Sequence, residues 1–537
     1  MSSVEDQDVR KSPVAAIVAW LRRLFGADAI TGTLLPSIML GVALSVTPTA
    51  LLLFSNGHVI AKSGPFYIAI GATSVIAAAT VVLLSRWLAP HVAGGLVAAL
   101  GYGFYSLSWV PGSNQLPSLT FFWILTALPA AAVIIWLMSN SRLVVSVASA
   151  ASTALAAFLV VSSFASGDVP IAAEDGAEIP EALALSGEPV RTPNVYLFVL
   201  DGFANPQVTA EQFADHDIDF RVDDALAKLE TLGLQHDREA TSNYGQTILS
   251  MPSMLNAAYP HTPEAPLRIA EVWGAGTPAI RGNNLLVDSL RSIGYEYWSA
   301  SSGAWDPSRC DPTIADVCLG DDAGNAEAMK AVWWDTPLRW QLGVTDFRSL
   351  PEPQTVVDSI LDTRLTRTSD APYVVVSHII GPHQPYRYEA DCSFRDKAAP
   401  GTTLEGGHLA EFRPLYANQA RCLTEILATA MDDLLDADPD ALIVVQADHG
   451  SGFESASGAA AAWTERMARE RLGVFRATRL PDDCRSDNPR SQSVINTTPI
   501  LLACIWGTDP ELIEPRHFFT DTSSETNDIT EAMVDLS

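Results

Sequence analysis

Five apolar stretches within the first 165 residues constrain the fold of this chain more than any other feature. None of them contains Asp, Glu, Lys or Arg, and they cover residues 31–54, 65–85, 93–110, 119–138 and 143–164. A helix needs about 20 such residues to cross the hydrocarbon core of a bilayer. A cleaved signal peptide would not repeat five times. We therefore predict an all-α transmembrane bundle of about five helices over residues 31–164, preceded by a cytoplasmic or interfacial N-terminus, residues 1–30.

The basic residues in the loops predict the orientation of this bundle, because Lys and Arg favour the cytoplasmic side. One set of loops carries only Lys62, whereas the N-terminal segment and the alternate loops carry Arg10, Lys11, Arg22, Arg23, Arg86 and Arg142. The N-terminus should then be cytoplasmic. With five spans, the rest of the chain should lie outside, in the periplasm or extracellular space. We expect a multi-pass protein of the cell (inner) membrane.

The remainder of the chain differs sharply from this bundle in charge. Residues 165–193 are rich in Ala, Gly, Glu and Pro without periodicity, which predicts a linker before an outer domain, residues 194–537. The whole chain has a net charge of −29, although its first 165 residues hold seven Lys/Arg against four Asp/Glu. The outer domain is therefore strongly acidic. Such a surface argues against nucleic acid as a partner and is compatible with a domain that uses bound cations.

The cysteines indicate an oxidising compartment. All lie in the second half of the chain, and the six positions are Cys310, Cys318, Cys392, Cys422, Cys484 and Cys504. An even number confined to one part suggests disulfides. The preferred pairs are Cys310–Cys318, which closes a short loop, and Cys392–Cys422. Cys504 stands in an apolar run and is equally compatible with a buried free thiol.

Three apolar, β-rich runs predict the fold of the outer domain. They cover residues 194–200, 373–377 and 441–446, and helical patterns such as 220–232 and 416–435 lie between them. Continuous apolar runs are typical of strands buried in a parallel sheet. Their alternation with helices predicts an α/β domain around a mostly parallel central sheet. In such domains ligands bind beyond the carboxyl ends of the strands.

Polar residues follow each of these three runs. Asp201 comes after the first, His378 and His383 after the second, and the pair Asp448-His449 after the third. A carboxylate and an imidazole side by side can bind one cation. Each motif alone also has an ordinary structural explanation, as a strand-end turn, a helix cap or a hydrogen-bonded histidine.

A hydroxyl residue stands at the start of a predicted helix between the first two runs. Gly245 precedes a helix-like stretch that begins near Thr247. The free N–H groups and the positive dipole end of a helix N-terminus favour an anionic nucleophile or a bound phosphate. A metal ion would lower the pKa of the hydroxyl further. An ordinary N-cap threonine is the alternative.

The order of these motifs resembles the alkaline phosphatase/sulfatase superfamily. More narrowly, the arrangement is similar to the membrane-bound phosphoethanolamine and phosphoglycerol transferases, including lipoteichoic acid synthases, which carry about five spans before a sulfatase-like domain. Residues 247–254, Thr-Ile-Leu-Ser-Met-Pro-Ser-Met, match the nucleophile motif Thr-x-x-Ser-x-Pro-Cys-Met except for Ser253. That family's His-x-x-Gly-Ser-His-Gly-Pro becomes His-Ile-Ile-Gly-Pro-His-Gln-Pro over residues 378–385, and its strand-end Glu becomes Asp201. A further downstream His of the phosphoethanolamine branch has no counterpart here.

This resemblance implies a chemistry for the site. One divalent ion, zinc or manganese, would be held by Asp201, Thr247, Asp448 and His449. Thr247 would attack the phosphorus of a membrane phospholipid, form a phospho-threonine, and pass the head group to a surface glycan or glycolipid. His378 and His383 would bind the phosphate or supply a general acid. Asn243 and Glu454 would lie behind the metal ligands and support them. The protein is expected to be a monomer.

Three other interpretations remain open at this point. A sulfatase would need Cys/Ser-x-Pro-x-Arg, and the segment from Ser250 has Met254 where the Arg belongs. A phosphodiesterase or phosphatase would use the same site with water as acceptor, and the sequence does not separate it from a transferase. A non-catalytic sensor or scaffold is disfavoured because every implied metal ligand has a chemically competent residue.

Overall fold

The computed structural model describes residues 33–56, 64–105, 142–165, 187–300, 306–319, 336, 350–399, 409–454, 464–486, 488–520 and 526–533. These residues form two compact units. The first contains the helices between residues 33 and 165, and the second contains nearly all described residues from 187 onward. The predicted span 119–138, the N-terminal segment 1–30 and most of the predicted linker lie outside the described residues.

Four helices make up the described part of the first unit: α1, Leu35–Asn56; α2, Gly64–Leu84; α3, Pro90–Tyr105; and α4, Arg142–Ala165. Small and hydroxyl residues let them approach closely. A Cβ added at Gly94 of α3 would lie only 2.6 Å from the carbonyl oxygen of Ser37 on α1. Ser149 of α4 donates a 2.6 Å hydrogen bond to the carbonyl of Pro36. These helices coincide with four of the five predicted apolar stretches.

One described helix is long and apolar enough to cross a membrane, by length and composition alone. Its segment Tyr67–Leu84 has a mean hydropathy of 2.2, and only 11% of it is buried. Ile68 and Val75 on this helix are 70% and 69% exposed. Leu35–Leu51 and Ser146–Ser162 are apolar but shorter. The bundle of five spans and its orientation therefore stay a prediction.

The second unit contains the described strands of the chain. In chain order they are β1, Val195–Leu200; β2, Gln235–His236; β3, Glu296–Ala300; β4, Val317–Leu319; β5, Tyr373–Ile379; β6, Tyr386–Tyr388; β7, Phe394–Ala399; β8, Leu442–Ala447; β9, Arg476–Arg479; β10, Phe518–Thr520; and β11, Thr526–Asp528. Seven of them form a central sheet in the order β2-β9-β8-β1-β5-β3-β4. Strands β8, β1, β5, β3 and β4 run parallel, and β9 is antiparallel to both of its neighbours. The predicted, mostly parallel α/β domain is confirmed.

Helices cover both faces of this sheet. They are α5, Pro206–Ala214; α6, Asp223–Thr231; α7, Thr247–Asn256; α8, Ile269–Arg281; α9, Leu285–Ser292; α10, Pro353–Thr366; α11, Leu409–Ala437; α12, Glu465–Leu472; and α13, Thr497–Trp506. Helices α5, α6, α10 and α11 contribute to one apolar layer, and α7, α8, α9 and α13 to the other. Side chains of β1 alternate between the two layers, with Tyr196 and Phe198 in the first and Leu197 and Val199 in the second. Because both faces are buried, the central strands read as continuous apolar runs.

Disulfides join all six cysteines of the second unit. The predicted pairs Cys310–Cys318 and Cys392–Cys422 are both present. A third bond links Cys484 to Cys504 of α13. Cys504 is therefore not a free thiol; its apolar surroundings reflect the burial of α13 rather than the absence of a partner.

The burial of His517, directly before β10, predicts a loss of stability in acid. His517 is 6% exposed, and neither ring nitrogen has a hydrogen-bond partner among the described residues. Burial lowers its pKa from 6.5 to about 4, against the opposing charge of Asp528. The neutral ring therefore stabilises the fold fully above pH 6.5. That contribution is lost as the pH falls toward 4, because the unfolded chain binds the proton first.

Protonation of this one residue should lower the free energy of unfolding by on the order of 3 kcal/mol below pH 4, relative to neutral pH. Denaturant unfolding of the detergent-solubilised chain at pH 7 and pH 4 would measure it. His517→Phe, which cannot titrate, should show a smaller loss of unfolding free energy over this range. An identical pH dependence in the two proteins would contradict the argument.

Candidate functional site

Three adjacent parallel strands bring the predicted site residues to one edge of the sheet. Asp201 directly follows β1, and Asp448 and His449 directly follow β8. His378, near the end of β5, pairs in register with Val199 of β1. Residues separated by up to 248 positions thus meet because β1 lies between β5 and β8.

Asp201, Asp448 and His449 form a buried cluster of ligand atoms. One atom from each residue lies within 4.8 Å of the others. His449 Nε2 is 3.5 Å from Asp201 Oδ1 and 3.4 Å from Asp448 Oδ2. The three residues are 6%, 1% and 3% exposed, respectively. This is the type of donor set that binds a divalent cation.

The tautomer of His449 leaves a lone pair on Nε2, the ring nitrogen that faces the two carboxylates. Its Nδ1 is 2.9 Å from the carbonyl oxygen of Gly450, so Nδ1 carries the proton and the Nε2 of the neutral ring is an acceptor. Burial lowers the pKa of His449, and the nearby charge of Arg471 lowers it further, although Asp448 and Asp201 act in the opposite direction. The neutral imidazole therefore directs a lone pair toward two carboxylates.

One oxygen of each carboxylate in this cluster also lacks a donor among the described residues. Asp201 Oδ1 and Asp448 Oδ2 are buried without a hydrogen-bond partner among the described residues. Burial alone would raise the pKa of Asp448, yet that pKa lies below its usual range, and the hydrogen bond from the Gly202 N–H favours the charged carboxylate. Buried charges that face no donor are costly. A divalent cation fits this arrangement, because it would satisfy all three acceptors at once.

The second oxygen of Asp448 fixes the direction of the first. Asp448 Oδ1 accepts hydrogen bonds from the backbone N–H of Gly202 at 3.0 Å and of His449 at 2.9 Å. Oδ2 is then turned toward His449 Nε2. Supporting hydrogen bonds of this kind orient the ligands of metal sites.

Thr247 places its hydroxyl beside this cluster. It is the first residue of α7, and Gln246 is the N-cap, with an extended backbone and no capping hydrogen bond from its side chain. Thr247 Oγ1 lies 3.4 Å from His449 Nε2. The inner residues of α7, such as Leu249 and Met251, are buried in the apolar layer below and anchor the helix. The hydroxyl thus stands at a helix N-terminus and next to the candidate metal ligands.

The two predicted histidines of the second motif occupy different positions. His378 is 2% exposed, with Nε2 3.7 Å from Asp201 Oδ2 and Nδ1 3.1 Å from the hydroxyl of Ser308. His383 is partly exposed, and its ring centroid is 6.4 Å from that of His449. Its Nδ1 donates to the carbonyl of Gln384 at 2.7 Å, which fixes the ring. His378 therefore lies behind Asp201, whereas His383 lies at the rim of the cluster.

Asn243 and Glu454 bind partners other than the metal-ligand candidates among the described residues. Asn243 is fully buried, and its Oδ1 accepts from the hydroxyl of Ser493 at 3.1 Å and its Nδ2 donates to the carbonyl of Arg516 at 2.7 Å. It thereby ties the segment before Thr247 to the C-terminal part of the chain. Glu454 pairs instead with arginines, at 3.2 Å from Arg413 and 3.4 Å from Arg466.

Sequence reasoning missed two residues of α12 that organise the site. The guanidinium of Arg471 donates to the carbonyl of Gly450 at 3.0 Å and also to the carbonyl of Gly245. It thus joins the loop of His449 to the segment before Thr247. Glu470 is 1% exposed and accepts from the Ser451 hydroxyl and from two backbone N–H groups of the following loop. Helix α12 is rich in charged residues, so its sequence pattern does not distinguish Arg471 and Glu470 from residues on a solvent-exposed helix face.

Comparison with known proteins shows that part of this chain matches a protein family. A family model described as "Sulfatase" matches residues 193–480. Among solved structures, the C-terminal periplasmic domain of EptC from Escherichia coli is 12% identical, with a TM-score of 0.40 and coverage of 64% of this chain and 94% of that chain. The corresponding domain of phosphoethanolamine transferase EptC from Campylobacter jejuni is 12% identical, with a TM-score of 0.36 and coverage of 61% and 93%.

A phosphonate monoester hydrolase of Agrobacterium radiobacter is 14% identical, with a TM-score of 0.36 and coverage of 63% of this chain and 82% of that chain. No curated protein matches the chain.

The geometry predicts one tightly bound divalent ion per chain. Asp448→Asn and His449→Ala should each weaken zinc or manganese binding by at least about 100-fold, because each removes one ligand atom from the set. Titration of the chelator-treated, detergent-solubilised chain with each metal would give the affinities. Asp440→Asn, an exposed aspartate beyond α11, is the matched control and should bind like wild type. Unchanged affinity in Asp448→Asn would exclude this site.

Proposed function

This chain belongs to the sulfatase family, and we propose that it is a metal-dependent phosphotransferase. It would move a head group of the phosphoethanolamine or phosphoglycerol type from a membrane lipid to a cell-surface glycan or glycolipid. One observation carries this proposal: the Thr247 hydroxyl lies 3.4 Å from His449 Nε2, at a helix N-terminus and beside two buried carboxylates. A nucleophile placed this way suits phosphoryl transfer.

The residues that would hold the metal are Asp201, Thr247, Asp448 and His449. When bound, a zinc or manganese ion would supply positive charge that lowers the pKa of the Thr247 hydroxyl and offsets the charge of the phosphoryl oxygens. Oxygen ligands with one imidazole suit either metal. Asp201 Oδ1 and Asp448 Oδ2, which have no hydrogen-bond donor within the described part of the chain, support this assignment.

The reaction would proceed by two displacements at phosphorus, in which Thr247, as the alkoxide, would be the nucleophile of the first and the leaving group of the second. The Thr247 oxygen forms a bond to the phosphorus of the donor lipid, the bond from phosphorus to the diacylglycerol oxygen breaks, and a phospho-threonine results. An acceptor hydroxyl or amine then attacks the same phosphorus and frees Thr247. The free N–H groups at the start of α7 would stabilise the negative charge on the phosphoryl oxygens.

The two histidines would have different tasks in this reaction. His383, partly exposed at the rim, would protonate the diacylglycerol oxygen as it leaves and would later take the proton of the acceptor. His378 is buried against Asp201 Oδ2 and Ser308, so we assign it the orientation of Asp201. Arg471 would hold the loops of Thr247 and His449 together through its two carbonyl contacts.

The apolar N-terminal part of the chain, residues 31–164, would keep this enzyme at its lipid donor. We propose a multi-pass anchor with a cytoplasmic N-terminus and a catalytic domain in the periplasm or outside the cell, acting as a monomer. The exposed apolar side chains of α2 support contact with lipid. The three disulfides support an oxidising compartment for the catalytic domain.

Lipid and glycan mass spectrometry of cells that express the chain would test the reaction. Wild type should produce diacylglycerol together with a modified glycan or glycolipid. Thr247→Ala should lower the amounts of both products by about 1,000-fold or more, because no other group replaces the nucleophile. Thr231→Ala, an exposed threonine at the end of α6, is the matched control and should act like wild type.

The remaining outcomes separate the alternatives. Diacylglycerol accompanied only by free head group would mean hydrolysis at the same site, and would replace transfer while leaving the role of Thr247 intact. Full diacylglycerol release by Thr247→Ala would contradict the proposed nucleophile. Release of sulfate from a sulfate ester, with no lipid product, would indicate a sulfatase.

A further inference from the structure

One face of helix α11 contacts the two loops that carry Asp201 and His383. Tyr416, Gln419 and Leu423 are three and four residues apart, so they share that face. They are 2%, 0% and 1% exposed. The face therefore lies wholly within the fold, directly against the loops that follow β1 and β5.

Tyr416 holds the loop after β1. Its hydroxyl donates to the carbonyl of Gly202 at 3.0 Å and accepts from the backbone N–H of Ala204 at 2.9 Å. The N–H of Gly202 in turn donates to Asp448 Oδ1. Tyr416 thus supports the side of the site that carries the metal-ligand candidates.

Gln419 holds the loop after β5. Its Nε2 is 2.8 Å from the carbonyl oxygen of His383, 3.2 Å from that of Pro385 and 3.3 Å from that of Pro382. Its Oε1 accepts from the N–H of Arg387 at 2.6 Å. Proline has no N–H, so this loop has few donors of its own, and its buried carbonyls need them from elsewhere. One side-chain amide supplies them.

The loop after β5 also packs against α11 and is hydrogen-bonded to Asp201. A Cβ added at Gly381 would lie 2.4 Å from Leu423 Cδ1, so the backbone touches the helix at that point. The N–H of His383 donates to the carbonyl of Asp201 at 2.9 Å. A shift of the loop would therefore move His383 relative to Asp201.

We propose that Gln419 is a positioning residue that acts through His383. It holds the loop so that the imidazole of His383 meets the oxygen that leaves the phosphorus. This inference rests on the proposed function, which gives His383 its proton-transfer role. Gln419 contacts neither Thr247 nor the metal-ligand side chains among the described residues, so its effect should fall on the chemical step and not on metal binding.

A double-mutant cycle on the full, detergent-solubilised chain tests this proposal. The probes are a phosphatidylethanolamine or phosphatidylglycerol micelle, with an alkoxide leaving group, and bis-p-nitrophenyl phosphate, whose leaving group needs no acid. Whichever phospholipid wild type cleaves is used throughout. Gln419→Met keeps the length of the side chain and removes its donors and acceptor. It should lower kcat on the lipid by about 10- to 100-fold, change KM little, and lower kcat on the nitrophenyl ester far less.

The cycle with His383→Ala gives the decisive comparison. In the His383→Ala background, Gln419→Met should change kcat by less than about threefold, because the residue that it positions is gone. Gln207→Met, an exposed glutamine on α5, is the matched control and should act like wild type. Gln419→Asn keeps an amide that is one methylene too short, and it replaces Gln419→Met in the cycle if that protein does not fold.

Metal affinity separates positioning from general damage to the site. Gln419→Met should bind zinc or manganese like wild type. Tyr416→Phe, which releases Gly202 instead, should weaken metal binding by about tenfold.

Two results would overturn the inference. Equal losses from Gln419→Met with and without His383 would show that Gln419 does not act through His383, while the proposed function would stand. Full lipid activity in His383→Ala would remove the proposed role of His383, and the role of Gln419 would fall with it.

Discussion

The convergence of three buried electron-pair donors at one edge of the sheet is the constraint on which the site depends. Asp201 Oδ1, Asp448 Oδ2 and His449 Nε2 face one another, and burial together with the charge of Arg471 keeps the imidazole neutral. Such a cluster is costly in the absence of positive charge. The parallel order β8-β1-β5 creates it, because strands that end at the same edge deliver their following residues to one place. The Thr247 hydroxyl is a candidate nucleophile because it lies next to this cluster.

The parts around this cluster restrict its geometry from several directions. The Gly450 carbonyl selects the tautomer of His449, and the N–H of Gly202 turns Asp448. Arg471 joins the nucleophile segment to the ligand loop, and α11 holds the loops after β1 and β5. Support of this kind is what preorganises a site for charge that develops during reaction. Substitutions far from the phosphorus should therefore affect the chemistry.

The parts of the structure that the sequence predicts are those with a local signal. Strands β1, β5 and β8 are buried on both faces, so they appear as apolar runs, and the residues that follow them are Asp201, His378 and the Asp448-His449 pair. The bond Cys484–Cys504 and the contacts of Arg471 and Gln419 join segments distant in sequence, and each residue looks ordinary in its own helix or turn. In the apolar N-terminal part of the chain, the four predicted stretches that the structure describes are helical, and one of these helices meets the length and composition of a span. Hydropathy predicts apolar helices well, but the membrane crossing itself depends on surroundings that sequence patterns do not contain.

Anomalous X-ray scattering from crystals of the metal-loaded chain, collected on both sides of the zinc and manganese absorption edges, tests the central claim most directly. The account predicts a single strong peak at the end of β1 and β8, about 2.0–2.3 Å from Asp201 Oδ1, Asp448 Oδ2 and His449 Nε2, with the Thr247 oxygen beside it. A peak bound by other residues, or a metal-free cluster whose carboxylates are satisfied by hydrogen bonds in protein that is active, would contradict it.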